Sequence, residues 1–265
     1  MNLSKEYISL YNEYLKAIND IKKEVKLIRT IQKITIKRKE RATQEEILEL
    51  EDENYMIDEA SKGKKVGNKI YNFSNGDVYI GKIIDNKMNG KGIYTFLEGI
   101  EYIGEFKDNM KDGSGICKFS NDNEYIGEFK EDTMSGIGQM IYASGNEYIG
   151  NWLSGKRNGK GIYKWHDGSI YVGEFKNNKM DGYGECFDLN GNLIYKGQWK
   201  NNLANGEGKY IWEDGKWYEG EFLHGKRHGK GTFYLNNELV YEGTWKFDKP
   251  SIFNRTLDEI FSFII

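Results

Sequence analysis

Residues capable of chemistry are few in this 265-residue chain, and their spacing assembles no recognisable site. The three histidines, His166, His224 and His228, all fall in segments of turn composition. No Cys/His cluster has metal-ligand spacing. The two cysteines, Cys117 and Cys186, occupy one slot of a repeat, three repeats apart. Strand spacing puts them about 29 Å apart, too far to bridge, so both are expected to fill a core. Glycines recur as G-x-G without extending to G-x-G-x-x-G, and no G-x-x-x-x-G-K-S/T occurs, so a phosphate-cradling loop is not supported. Glu105, Glu128, Glu174 and Glu221 recur at one slot, which points to cross-strand pairing with lysine rather than acid/base work. These residues predict no enzyme, no metal and no cofactor. One pair of turns does stand out, SGKRNGKG and HGKRHGKG: Lys156, Arg157 and Lys160 recur as Lys226, Arg227 and Lys230. Such turns serve solubility and turn preference, or they contact anions such as phosphoinositide headgroups or an acidic protein surface.

The elements that position these residues are repeats. Tyrosines fall at 79, 102, 125, 148, 171, 195, 218 and 241. Each is followed two residues on by Gly and four residues on by a large apolar side chain. The repeat core thus reads Tyr102/Gly104/Phe106, Tyr125/Gly127/Phe129, Tyr148/Gly150/Trp152, Tyr171/Gly173/Phe175, Tyr195/Gly197/Trp199 and Tyr218/Gly220/Phe222. A G-x-G follows in seven repeats, from Gly90/Gly92 to Gly229/Gly231. Alternation with period two makes each segment a strand, with Tyr, Gly and Phe/Trp on one face. Between strands, the residue seven after the Tyr is Asn86, Asn109, Asp132, Gly155, Asn178, Asn202 or Gly225, residue types that tolerate positive φ. A second turn carries Gly three residues before the next Tyr in most repeats, with Asp122 as an exception. Each repeat is therefore a β-hairpin, and its glycines are expected to leave room for aromatic rings from a neighbouring strand.

The pattern Y-x-G-x-F/W-x-x-N/G-x-x-x-G-x-G resembles the MORN (membrane occupation and recognition nexus) repeat, over residues 79–250. The resemblance implies a mainly β chain, an elongated single-layer antiparallel sheet of β-hairpins. It also implies roles in organising cytoskeleton, cilia or membrane contacts. The partners expected are other proteins, cytoskeletal or axonemal, with an anionic phospholipid surface as the alternative. A cytoplasmic, cytoskeletal or ciliary location goes with that expectation.

The flanks differ in physics. Residues 1–60 contain no Gly or Pro, and Tyr7, Tyr11, Tyr14, Ile18, Ile21, Val25 and Ile28 follow 4-3 spacing, a helix with a coiled-coil-like seam. That seam either packs on the chain's own sheet or pairs with a second chain as a homodimer. Residues 22–41 are basic and 43–60 acidic, so the two offset each other, or the basic part meets lipid or microtubule. Thr43 with Glu46 reads as the start of a second helix. Residues 61–68 read as a linker and 69–78 as a half-repeat. The tail 251–265, with Leu257, Ile260, Phe261 and Ile264 on one stripe, is expected to be a short helix capping the last hairpin.

Composition agrees. A net charge of −3, from 38 basic and 41 acidic residues, argues against a nucleic-acid binder. Mean hydropathy is −0.73, and no apolar run approaches the ~18 residues of a spanning helix. No secretory h-region is expected at the N-terminus, and two cysteines fit a reducing compartment.

Overall fold

The computed structural model describes residues 5–41 and 68–251, with helix side chains described over 8–30 and at Lys33. Among the described residues the chain is mainly β: 17 strands in an open antiparallel sheet, and one N-terminal helix. It divides into two compact halves, Leu3–His166 and Asp167–Ile265. The first half holds α1 (Lys5–Arg41), β1 (Asn68–Asn72), β2 (Val78–Ile84), β3 (Lys87–Thr95), β4 (Glu101–Lys107), β5 (Met110–Lys118), β6 (Glu124–Lys130), β7 (Thr133–Ile141), β8 (Glu147–Leu153) and β9 (Lys156–Lys164). The second holds β10 (Ile170–Lys176), β11 (Lys179–Phe187), β12 (Leu193–Lys200), β13 (Leu203–Ile211), β14 (Trp217–Leu223), β15 (Lys226–Leu235), β16 (Glu238–Lys246) and β17 (Lys249–Pro250). The half-repeat starts at Asn68 and pairs with β2, placing Tyr71 opposite Tyr79. The expected second helix from Thr43 and the C-terminal capping helix lie outside the described residues.

Two turn types close the hairpins. The tight turn has both central residues at positive φ, as at Asp85 (49°) and Asn86 (61°), Asp108 (51°) and Asn109 (75°), and Asn201 (51°) and Asn202 (70°). That is the mirror-image turn whose twist matches the strands. All seven residues named for this slot have positive φ, Gly155 and Gly225 included. Asn and Asp add something glycine cannot. The Asn109 side chain accepts the Met88 N–H at 2.7 Å, Asp132 that of Lys111 at 2.8 Å, and Asn202 that of Met180 at 2.8 Å. These three tight turns are thereby tied to the ones before them, and Gly155 and Gly225 make the tie through their own amides alone, to the Met134 and Ala204 carbonyls. At the second turn Gly76, Gly99, Gly145, Gly168 and Gly215 all have φ between 83° and 94°, and Asp122 takes the same role at 61°.

Across the glycines lies the aromatic ladder. Each repeat Tyr hydroxyl donates to the carbonyl three residues on, from Tyr79 to Lys82 at 3.1 Å through Tyr241 to Thr244 at 3.1 Å. The ring therefore lies over the Gly of its own strand and over the second Gly of G-x-G on the next. This corrects the expectation for the Y-x-G glycines. Over Gly104, Gly127, Gly150, Gly173, Gly197 and Gly220 the ring is that of the strand's own tyrosine, two residues earlier, and no neighbouring strand supplies it. What the neighbouring strand supplies is bare backbone. The register sets these six opposite Gly115, Gly138, Gly161, Gly184, Gly208 and Gly231, and a Cβ on any of them would strike the facing glycine Cα. The second glycine of each G-x-G, from Gly92 to Gly231, lies under the tyrosine ring of the preceding strand, as expected.

Phe and Trp meet the tyrosines edge to face. Phe106 stands 5.0 Å from Tyr102 and 5.2 Å from Tyr79, and Phe175 stands 5.2 Å from Tyr171. Tyr125 has Phe129 at 5.1 Å and Trp152 at 5.3 Å, and Tyr195 has Trp199 at 5.0 Å and Phe222 at 5.3 Å. Phe106, Phe129, Trp152, Phe175 and Phe222 are buried, whereas Trp199 is half-buried. The first Gly of G-x-G does something else. All seven have φ between 60° and 114°, so it is backbone conformation that requires glycine there.

The opposite face is built differently in the two halves. In the first, Ile80 pairs with Ile93, Ile103 with Ile116, and Ile149 with Ile162. In the second, the same positions carry Glu185 opposite Lys196 and Lys209 opposite Glu219, at 2.8 and 3.6 Å between charged atoms. Helix α1 covers the isoleucine face, touching β3 through β8 and, through Tyr14, the Lys160 carbonyl of β9. Its seam Tyr14, Ile18, Ile21, Val25 and Ile28 is buried, Ile18 completely. Of the two fates open to that seam, packing on the chain's own sheet is the one observed.

Candidate interaction surfaces

Polar contacts also hold the helix to the sheet. Tyr14 donates to Asn151 Oδ1 at 2.9 Å and to the Lys160 carbonyl at 3.2 Å. Arg29 pairs with Glu101 at 2.7 Å, and Glu24 pairs with Lys91. Burial and the nearby Glu13 push the Tyr14 hydroxyl up to about 12, so it donates throughout the ordinary pH range. Outward, α1 presents exposed Lys16, Lys23, Lys26 and Lys33, with Lys23 paired to Asp20 at 3.4 Å, whereas Lys22, also exposed, reaches back to the sheet and donates to Gln139 Oε1 at 3.4 Å.

The six basic turn residues do not act alike. Lys156 and Lys160 are exposed, whereas the Arg157 guanidinium lies over the rings of Tyr163 at 4.9 Å and Tyr148 at 5.7 Å. In the second half Lys226 and Lys230 are exposed, but Arg227 is only 8% exposed. Its Nε donates to Asp248 Oδ1 and its Nη2 to the Asp248 carbonyl, both at 3.2 Å, and it covers Trp245 at 4.6 Å and Trp212 at 5.4 Å. The register places Arg157 opposite Trp152 and Arg227 opposite Phe222, both on the aromatic face. Each trio thus contributes two exposed lysines and one arginine held against rings.

Two of the four recurrent glutamates, Glu128 and Glu221, are engaged by backbone. Glu128 Oε1 accepts the Ile137 N–H at 3.2 Å, and Glu221 Oε1 accepts that of Lys230 at 2.8 Å. Gln198 does the same for Glu207 at 3.2 Å. These carboxylates lie over the positive-φ glycines Gly136 and Gly229, where the bulge exposes an amide. The expected pairing with lysine is therefore corrected for these two. The two thiols face repeat tyrosines, Cys117 opposite Tyr102 and Cys186 opposite Tyr171. Burial raises both, Cys186 to about 12, which disfavours the thiolate. Among the described residues no group of three or more His, Cys, Asp or Glu is placed to hold a metal ion.

Near the end of the second half, Tyr210, Trp212, Phe222, Gly225, Arg227, Phe247, Asp248 and Lys249 surround an open pocket of roughly 460 Å³. Sequence reasoning did not find it, because its members are scattered over several strands and the turns between them. It also missed the apolar side of the first half. The signal was the residue between Tyr and Gly: Ile80, Ile103, Ile126 and Ile149 early, but Lys196, Glu219 and Glu242 late.

Consecutive hairpins, a one-sided ring ladder and tied turns define a β-hairpin repeat protein. The MORN repeat model matches residues 79–99, 102–124, 125–147, 148–170, 171–192, 195–217, 218–239 and 241–251. The chain belongs to the MORN-repeat family. No curated protein matches the sequence. Among solved structures, one similar chain is the SAS-4 (dCPAP) TCP domain of Drosophila melanogaster, in complex with a proline-rich motif of Ana2. It is 9% identical with a TM-score of 0.29, and the match covers 69% of this chain and 93% of that one. The TCP10 domain of Danio rerio CPAP, in complex with a STIL peptide, is 12% identical with a TM-score of 0.26, covering 66% and 83%. Similarity of that degree says nothing about partners.

Proposed function

We propose that this chain is a non-catalytic scaffold that binds other proteins, in a cytoskeletal or ciliary assembly of the cytoplasm. One observation supports it above the rest: α1 is docked on its own sheet with Lys16, Lys23, Lys26 and Lys33 outward. Its apolar side is satisfied within the chain, so its outer side is a stable basic surface suited to an acidic protein face. The cytoskeletal or ciliary setting rests on the family resemblance. Replacing Lys16, Lys23, Lys26 and Lys33 together by Glu in the tagged full chain tests the reading. The unaltered chain is expected on a discrete cytoskeletal structure, and the variant is expected to be diffuse with unchanged circular dichroism. A variant that localises like the unaltered chain removes the helix surface from the proposal.

The alternative, binding to anionic phospholipid, draws on exposed Lys156, Lys160, Lys226 and Lys230. Each lysine near an anionic leaflet contributes ~1 kcal/mol, screened over ~8 Å at physiological salt. Co-sedimentation with phosphoinositide vesicles, lost on changing these four to Gln, would favour it. Pairing of two chains through α1 requires a surface other than the buried seam.

A further inference from the structure

The pocket in the second half joins aromatic walls to a buried cation. Tyr210, Trp212, Phe222 and Phe247 supply the rings, and the volume, roughly 460 Å³, lies within the range of ligand-binding pockets. Two of these walls are anchored. Phe222 is buried against Tyr195 at 5.3 Å and Tyr218 at 5.2 Å, and Trp212 meets Phe233 at 5.8 Å. Phe247 is 46% exposed and packs on the His228 ring at 4.8 Å, so it is the wall with room to move. It stands where the earlier tight turns, from Asp85 to His224, carry a polar residue, so this wall is a local addition to the repeat.

Arg227 supplies the cation, with a side chain more than nine-tenths buried. Nε and Nη2 donate to Asp248, and the guanidinium lies over Trp245 and Trp212. Nη1 is buried and meets no acceptor among the described residues. A buried charged donor left unpaired is costly, so Nη1 calls for an oxygen. The charged residues lining the pocket, Arg227 and Lys249 against Asp248, leave one positive charge over. A single carboxylate is the complement, and it suits the planar guanidinium. Aromatic walls around an arginine are also the composition of a protein-binding hot spot. The pocket is open, so its occupant continues past the mouth, as a side chain on a longer peptide does.

We propose that this pocket binds a peptide segment of a partner protein in which an aromatic or large aliphatic side chain stands beside an Asp or Glu. The apolar side chain seats among Trp212, Phe222 and Phe247. The carboxylate accepts from Arg227 Nη1, which it reaches as the Phe247 ring swings aside. The proposal rests on the scaffold reading for the class of ligand, a protein, and adds a site that owes nothing to α1.

The test selects a phage-displayed library of random dodecapeptides on the immobilised full chain. Enriched peptides are expected to share one motif, an acidic residue at a fixed short spacing from an aromatic or large aliphatic one. A synthetic peptide of that set is expected to bind about tenfold more weakly, or worse, after each of three changes: its acid to the amide, Phe247→Asn, and Arg227→Gln. Phe247→Asn places at this turn the residue type of Asn177 and Asn201, so the fold is expected to hold, and Tm checks both variants. On the Arg227→Gln chain the acid and amide peptides are expected to bind alike, a coupling that a merely structural arginine would not produce. The absence of a shared motif, a motif without an acidic residue, or binding that survives Phe247→Asn overturns the proposal. So does a dimeric full chain that Phe247→Asn turns monomeric, which gives the pocket to a second copy. If the peptides fail while the α1 lysine variant still loses its location, the pocket falls and the scaffold reading stands. Peptide binding with an unchanged location keeps the pocket and removes the helix surface.

Discussion

At the scale of single residues, the repeat assigns glycine to two separate jobs, and substitutions separate them. A Cβ at Gly127 would lie 2.5 Å from the Tyr125 hydroxyl and 2.6 Å from the Gly138 backbone. The backbone neighbour cannot rotate away, so Gly127→Val is expected to overpack the ladder and cost ~1–3 kcal/mol, read as a lowered Tm. Gly155 is the opposite case. Its φ is 73°, and the nearest atom to an added Cβ is a Thr133 methyl at 3.7 Å. Asn there restores the side chain that Asn109 and Asn202 use to accept a neighbouring amide. Gly155→Asn is therefore expected to stabilise by ~1 kcal/mol and raise Tm by about 2–4 °C. Asp77 gives a pH dependence. The Leu97 N–H, the Tyr94 hydroxyl and Asn75 all donate to its carboxylate and hold it below the usual carboxylate range. A lowered folded pKa contributes stability that is full above the unfolded value near ~3.9 and is lost as pH falls through the folded value. Melting curves from pH 5 downward are expected to be less pH-dependent in Asp77→Asn than in the unaltered chain.

At the scale of elements, hairpins were legible and the face they leave for α1 was not. Tyr, Gly and Phe/Trp at period two declare the strands, and Asn or Gly at a fixed slot declares the tight turns. Those aromatics dominate the alignment, so the alternate positions pass unread, although Ile80, Ile103, Ile126 and Ile149 form as regular a series. Period two also puts Tyr102 and Gly104 on one face without saying that the ring folds back along its own strand. The hydroxyl's bond to the Glu105 carbonyl decides that, and no spacing encodes it. The 4-3 seam of α1 was equally clear, yet a seam alone does not choose between a partner strand and a partner chain. The pocket was beyond reach, since no local pattern links Tyr210 to Phe247. At Glu128 and Glu221 charge suggested an ion pair, whereas an amide freed by the bulge is the observed partner. The seam also makes a prediction at this scale. Ile18 is fully buried, and Ile18→Ala is expected to cost ~2–5 kcal/mol of docking energy. Faster hydrogen exchange in α1 with the hairpin amides unchanged is the expected signature. Equal acceleration in both would mean that the helix and hairpins melt as one unit.

At the scale of the whole molecule, a chain lacking residues 1–41 loses the cover from Ile103, Ile126, Ile149 and Ile162. It is expected to associate through that face, with light scattering reporting species larger than the full chain. A clean monomer would mean that the isoleucine stripe tolerates water. The same docking has a consequence in time. Hairpin contacts are local and form quickly, but Tyr14 meets Lys160 across 146 residues. Synthesis runs from the N-terminus at about 5–20 residues per second, so α1 leaves the ribosome about 7–30 s before the last strand it touches exists. Helix α1 is made before every strand that covers it, and until β9 exists Ile18, Ile21, Val25 and Ile28 face water or whatever other chain is at hand.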